Sequence, residues 1–154
     1  MKIHHWLFWG GLLLYGVTFA LPAVSAPDTS PIPGWGCAFY VTIMQPWTRD
    51  NVALLHTEPL TYIPTVMTGW INPLFLVTTI LSLFRRASAL VSVLSIIILL
   101  LVPLCWVVFH FENVRPRAGH FLWILGMLLV LLSARLRRRD KMQGTSDIRS
   151  PARG

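Results

Sequence analysis

The chain has 154 residues, of which 55% are hydrophobic and 12% charged, with a mean hydropathy of +0.62 and a formal net charge of +7. A soluble domain carries about 25% charged residues, and the few charges between Tyr62 and Arg135 (Arg85, Arg86, Glu112, Arg115 and Arg117) all stand at the ends of apolar runs. Composition therefore argues against an ordinary soluble domain. The continuity of runs about 20 residues long argues against barrel strands, which alternate. What remains is an all-α integral membrane protein, with three to four transmembrane helices in an antiparallel bundle.

The positive charge has a direction. Lys2, Arg85, Arg86, Arg135, Arg137, Arg138, Arg139, Lys141, Arg149 and Arg153 fall on one expected side of the membrane, and only Arg49, Arg115 and Arg117 on the other. This positive-inside bias places both termini in the cytoplasm, with Arg85, Arg86, Arg135 and Arg137 to Arg139 as topology anchors. Topology accounts for the excess charge, so no nucleic-acid partner is expected.

In chain order, residues 1–26 read either as a first transmembrane helix or as a signal peptide. Trp6–Leu21 is apolar, and small residues (Ala23-Val24-Ser25-Ala26) follow where a signal peptidase cuts. The length of the run and Pro27, which opposes cleavage after Ala26, favour retention; cleavage would leave the new N-terminus outside. Residues 27–61 form an extracytoplasmic segment. It opens on the Pro/Gly-rich run Pro27–Gly34, which cannot hold a helix. Trp35–Trp47 follows, mostly apolar and too short to span, and reads as an interfacial or re-entrant helix ending before Pro46, or as a loop over the bundle.

Three spans follow, at residues 62–84, 87–111 and 119–136. In the first, Asn72-Pro73 predicts a break. A helix starting at Asn72 and ending at Phe84 would be about 20 Å long, short of the roughly 30 Å hydrocarbon core, so the span begins nearer Tyr62 and kinks. Pro103 predicts a bend in the next span. Ser88, Ser92 and Ser95 share one face there, and Gly119, Gly126 and Ser133 form a second small-residue seam; such seams allow close helix approach. Residues 137–154 read as a basic, disordered cytoplasmic tail whose arginines suit anionic lipid headgroups.

Candidate chemistry is sparse. His110, Glu112 and His120 flank one outer loop, and two imidazoles with a carboxylate can bind zinc or copper. Ordinary interfacial histidines are the simpler reading, and no cofactor is expected. Cys37 and Cys105 can pair as a disulfide in an oxidising compartment, although Cys105 lies about 8 Å below His110 along its helix; two unpaired thiols are the simpler expectation. No nucleophilic triad, phosphate loop or zinc-protease helix is present, and no charge sits at mid-membrane where proton-coupled transporters need one.

Asn72-Pro73-Leu74-Phe75 and Gly119-His120-Phe121-Leu122-Trp123, with the aromatic Gly34-Trp35-Gly36, resemble a family of small, uncharacterised bacterial four-helix inner-membrane proteins. Such proteins have Asn-Pro-Leu in the second span and Gly-aromatic-aromatic-Leu-Trp opening the last. The resemblance covers Gly34 to Leu132, and His120 departs from the aromatic expected there. It implies a bacterial inner membrane and carries no activity and no catalytic residues.

The expected function is accordingly non-enzymatic. It would be exercised through contacts with another membrane protein or a second copy, as an accessory subunit or an immunity-type protein. The alternative is a small oligomeric transporter or channel using the break at Asn72-Pro73, which requires a polar cavity beside Asn72. An outer-face metal protein or enzyme requires His110, Glu112 and His120 to converge.

Overall fold

The computed structural model describes residues 3–27, 29–44, 48, 52, 56–84 and 88–148. Its elements are α1 (Ile3–Thr18), β1 (Pro22–Ser25), β2 (Ile32–Pro33), α2 (Gly34–Phe39, prolonged by a π-helical turn, Tyr40–Met44), α3 (Pro59–Gly69), α4 (Ile71–Leu83), α5 (Ser88–Phe111), β3 (Arg115–Pro116) and α6 (Ala118–Ile148). Among the described residues three stretches are long and apolar enough to cross a membrane: Tyr62–Leu83, built from α3 and α4, then Ala89–Phe111 and Ala118–Asp140. The predominantly helical fold follows from these runs, because an apolar segment of this length satisfies its backbone internally only as a helix.

α1 has 16 residues, about 24 Å, yet with the turn that follows it accompanies most of α6. The two run antiparallel. His4 Nδ1 lies 3.5 Å from an Asp140 carboxylate oxygen, and the Arg137 guanidinium carbon is 5.5 Å from the centre of the Phe8 ring. Further along, Gly11 meets Gly126, and Pro22 lies against Gly119. The seam of Gly119, Gly126 and Ser133 is buried throughout and explains the closeness. A β-carbon on Gly126 would stand 2.8 Å from the Tyr15 nitrogen and 3.0 Å from the Gly11 oxygen, and one on Gly11 would stand 2.8 Å from the Leu129 β-carbon. Backbone rests on backbone, as small residues permit. The serine seam behaves differently: Ser92 and Ser95 line an open groove between α5 and α6, so the close approach expected of them there is absent.

A three-stranded antiparallel sheet, order β2-β1-β3, caps the end of the bundle where α5 meets α6. Val24 pairs with Ile32 on one side and Pro116 on the other. Pro33 and Pro116 lie on the edge strands, where a missing N–H is tolerated and further pairing is blocked. Arg117 closes the layer: its backbone N–H donates to the Ala23 carbonyl at 2.8 Å and its Nε–H to Ser25 Oγ at 2.9 Å. Of the small residues read in the sequence as a cleavage site, Ala23, Val24 and Ser25 are thus buried in the centre strand of the sheet. A left-handed Asn113 (φ 50°) ends α5, with the Val114 N–H donating to the Phe109 carbonyl at 2.9 Å; this is the six-to-one closure of a helix C-terminus.

The helix breaks need correction. The second span breaks at Trp70, a residue at φ −80°, ψ −7° between α3 and α4, two residues before Asn72 rather than at Asn72-Pro73. The displacement is physical: a proline removes the bond to, and crowds the carbonyl of, the residue four places earlier, so the disruption lies on its N-terminal side. That carbonyl, on Gly69, accepts instead from the Thr42 hydroxyl at 2.9 Å. Pro103 does not break α5, which runs through it without interruption; its neighbours Ile98, Leu101 and Cys105 are buried and hold both flanking turns in the core. The tail begins later than residue 137, because α6 continues to Ile148. Arg, Lys, Met and Gln are good helix formers and prolong it past the apolar run. The Arg85-Arg86 turn lies outside the described residues, as do Lys2, Arg49, Pro46 and residues 149–154.

Candidate functional site

The break at Trp70 gives the sheet-capped end its chemistry. Freed from a regular span, the chain places Asn72 two residues into α4, facing α1 and α6. Asn72 Oδ1 accepts from the Tyr15 hydroxyl at 2.9 Å and from Trp123 Nε1–H at 2.9 Å. One carbonyl oxygen therefore ties three helices together. The indole N–H can only donate, which fixes which Asn72 atom is oxygen and directs its amide nitrogen elsewhere.

Beside this junction lies a cavity of about 90 Å³, room for about three waters at roughly 30 Å³ each or for a small organic group. Asn72, Thr18, Thr68, Cys37, Cys105 and His120 supply its polar wall, with apolar and aromatic side chains between them. The Thr18 hydroxyl donates to the Tyr15 carbonyl at 2.6 Å and the Thr68 hydroxyl to the Thr65 carbonyl at 2.9 Å. Their protons are thereby used within their own helices. α2 forms the lid: Cys37, Ala38 and Val41 line the cavity, and the carbonyl of Val41 packs directly against Gly69, where no side chain would fit.

His120 is 6% exposed, and its Nε2 has no hydrogen-bond partner among the described residues. Its ring stacks on Trp123 with centroids 5.4 Å apart and meets Phe109 edge-on at 4.8 Å. An unpartnered buried nitrogen beside a cavity costs free energy unless something occasionally satisfies it. Among the described residues no charged side chain lines the cavity. An ionic ligand would be stripped of water there without compensation, so the wall suits a neutral one.

The residues singled out in the sequence sort clearly. Asn72, Cys37, Cys105 and His120 come together. His110 and Glu112 do not join them; both are exposed at the end of α5, whereas His120 turns inward. Among the described residues no three His, Cys, Asp or Glu side chains gather as metal ligands. Both cysteines are free thiols, and burial pushes the Cys37 thiol above its ordinary pKa. Pro103 is absent from the cavity wall. Of the anchors, Arg137 turns toward α1 and Arg138 toward Ser92 on α5, and Arg135 and Arg139 are exposed. Tyr15 and Trp123 were not singled out as site residues in the sequence. A lone tyrosine inside an otherwise apolar run is the signal that marks Tyr15, since its hydroxyl needs a partner.

No protein-family model, curated protein or solved structure matches the chain.

Proposed function

We propose that the chain is a non-enzymatic, multi-pass membrane protein that works by binding, and that it binds a small neutral molecule in the cavity beside Asn72. The membrane reading is supported by the three long apolar helices and by their outward faces. Leu76, Ile80, Leu100, Leu125 and Leu132 are all exposed, and a soluble protein rarely shows so continuous an apolar surface. The positive-inside bias and the family resemblance favour a bacterial inner membrane, with the sheet-capped end outside. Retention of α1 is favoured by its fit to α6 and by the burial of Ala23, Val24 and Ser25.

The observation that carries the binding reading is the cavity itself, placed where a helix break, a lid helix and an unpartnered histidine meet. Its mostly apolar wall, with no charged side chain among the described residues, favours a small neutral ligand over an ion. Between it and the basic end the core is filled by Phe75, Ile98 and Met127, each at most 1% exposed. Transport through a single protomer finds no support in that packing, and the transporter alternative would need several copies. The partner-contact reading loses part of its material, because the glycine seam is already used by α1; an accessory or immunity role remains compatible with a ligand-binding lid.

Thiol protection tests the reading. Benzyl alcohol is expected to slow labelling of both Cys37 and Cys105 by a small maleimide at least fivefold in the folded protein. Labelling is run above neutral pH, because the raised Cys37 pKa leaves little thiolate at pH 7. Unchanged rates at both cysteines would refute it.

A further inference from the structure

A second recess lies at the opposite end of the molecule. α5 and α6 touch at the sheet-capped end, where Trp106 and Phe109 meet His120 and Phe121. Toward the basic end they are separated by a groove of about 520 Å³. Ile96 and Leu99 of α5 face Leu128 and Leu132 of α6 across it. Its floor is low because α5 presents Ser92 and Ser95, too short to reach α6. Arg135 and Arg138 line the same groove, at i and i+3 on one face of α6. The Arg138 guanidinium donates to Ser92 Oγ, which holds it across the groove. An arginine has five N–H donors, so most of that fork, and all of Arg135, faces outward. Among the described residues no acidic side chain lines the groove.

We propose that this groove is a binding site for one anionic phospholipid, with an acyl chain lying between Leu99, Leu128 and Leu132 and the phosphate held by Arg135 and Arg138. The inference rests on the membrane reading and not on the Asn72 cavity. An apolar trough ending in two guanidiniums, with no carboxylate among its described lining residues, matches a molecule with a hydrocarbon tail and an anionic head. A second copy of the chain fits poorly. It would have to bring carboxylates, and of those within the described residues Glu58 precedes α3 and Glu112 follows the far end of α5, while Asp140 and Asp147 are on the same basic helix. A zwitterionic lipid would bring an ammonium group beside the arginines and bind more weakly.

Native mass spectrometry of the full chain, extracted from equal parts of phosphatidylglycerol and phosphatidylcholine, tests this. Wild-type protein is expected to retain one phosphatidylglycerol in clear preference. The double variant Arg135→Gln/Arg138→Gln should lose that retention by roughly 30-fold, about fivefold for each guanidinium. Ser95→Phe, which fills the groove and leaves both arginines, should lose it too, while Arg139→Gln should keep it. Equal retention of the two lipids by the wild type, or undiminished phosphatidylglycerol on the double variant, would overturn the proposal.

Discussion

Gly126→Leu is expected to detach α1 from the bundle, at a cost of about 3 kcal/mol or more, the upper end of overpacking effects. The reason lies in the backbone. Even the first carbon of a side chain at Gly126 would stand 2.8 Å from the Tyr15 nitrogen and 3.0 Å from the Gly11 oxygen. No rotamer moves a β-carbon, so α1 must shift as a body. Gly126→Ala should already destabilise, and Gly11→Ala should behave alike, because it meets the same crossing from the other side. Gly10→Ala supplies the control: nothing lies within 4 Å of a β-carbon there, and alanine should stabilise α1 by about 0.5–1 kcal/mol through helix propensity. Thermal unfolding in mild detergent separates the cases. Equal midpoints for the Gly10 and Gly126 alanine variants would contradict the close crossing.

The second large effect is expected at Asn72. Asn72→Leu keeps the approximate volume and removes the acceptor shared by Tyr15 and Trp123. Two donors then lose their partner inside the bundle, at about 1–3 kcal/mol each in a protein interior and toward the lower end within a bilayer, where the unfolded reference also finds partners. A total of about 2–4 kcal/mol is expected. Tyr15→Phe removes a donor and strands none, because Asn72 Oδ1 still accepts from Trp123; it should cost about 1 kcal/mol or less. In the Asn72→Leu background Tyr15→Phe should become nearly neutral or stabilising, which a double-mutant cycle reads directly. A Tyr15→Phe effect as large as that of Asn72→Leu would show that the hydroxyl and not the amide organises the junction.

How much of this was legible in the sequence follows from what each feature depends on. The three long spans were readable because uninterrupted apolar runs leave few alternatives. The break was readable to within one turn because proline acts on backbone bonds nearby in sequence. The short helix over the bundle, Gly34–Met44, was readable from its aromatic, apolar character between polar flanks. The sheet was not, because strands of two to four residues that include Pro22, Pro33 and Pro116 look like loop. The pairing of Gly11 with Gly126 was half visible: the seam on α6 repeats every seven residues, whereas its counterpart on α1 is a single position. The sequence pairs Asn72 with Pro73 as a helix break, beside which a transporter would need a polar cavity. It pairs His120 with His110 and Glu112 as metal candidates, ordinary interfacial histidines being the simpler reading. It does not bring Asn72 and His120 together. Their shared cavity depends on how α1, α2, α5 and α6 come together, and no periodicity in the chain records that.

The central claim is that the cavity beside Asn72 is a binding site, and locating a ligand tests it most directly. The protein would be solved with 4-bromobenzyl alcohol and the bromine placed by anomalous scattering. Bromine is expected beside Asn72, Trp123 and Cys105, and is expected to be lost in Ala38→Trp, which fills the cavity from the lid while leaving the Asn72 hydrogen bonds in place. Bromine found only on the outer helix faces or in the α5–α6 groove, with the Asn72 cavity empty, would contradict that claim.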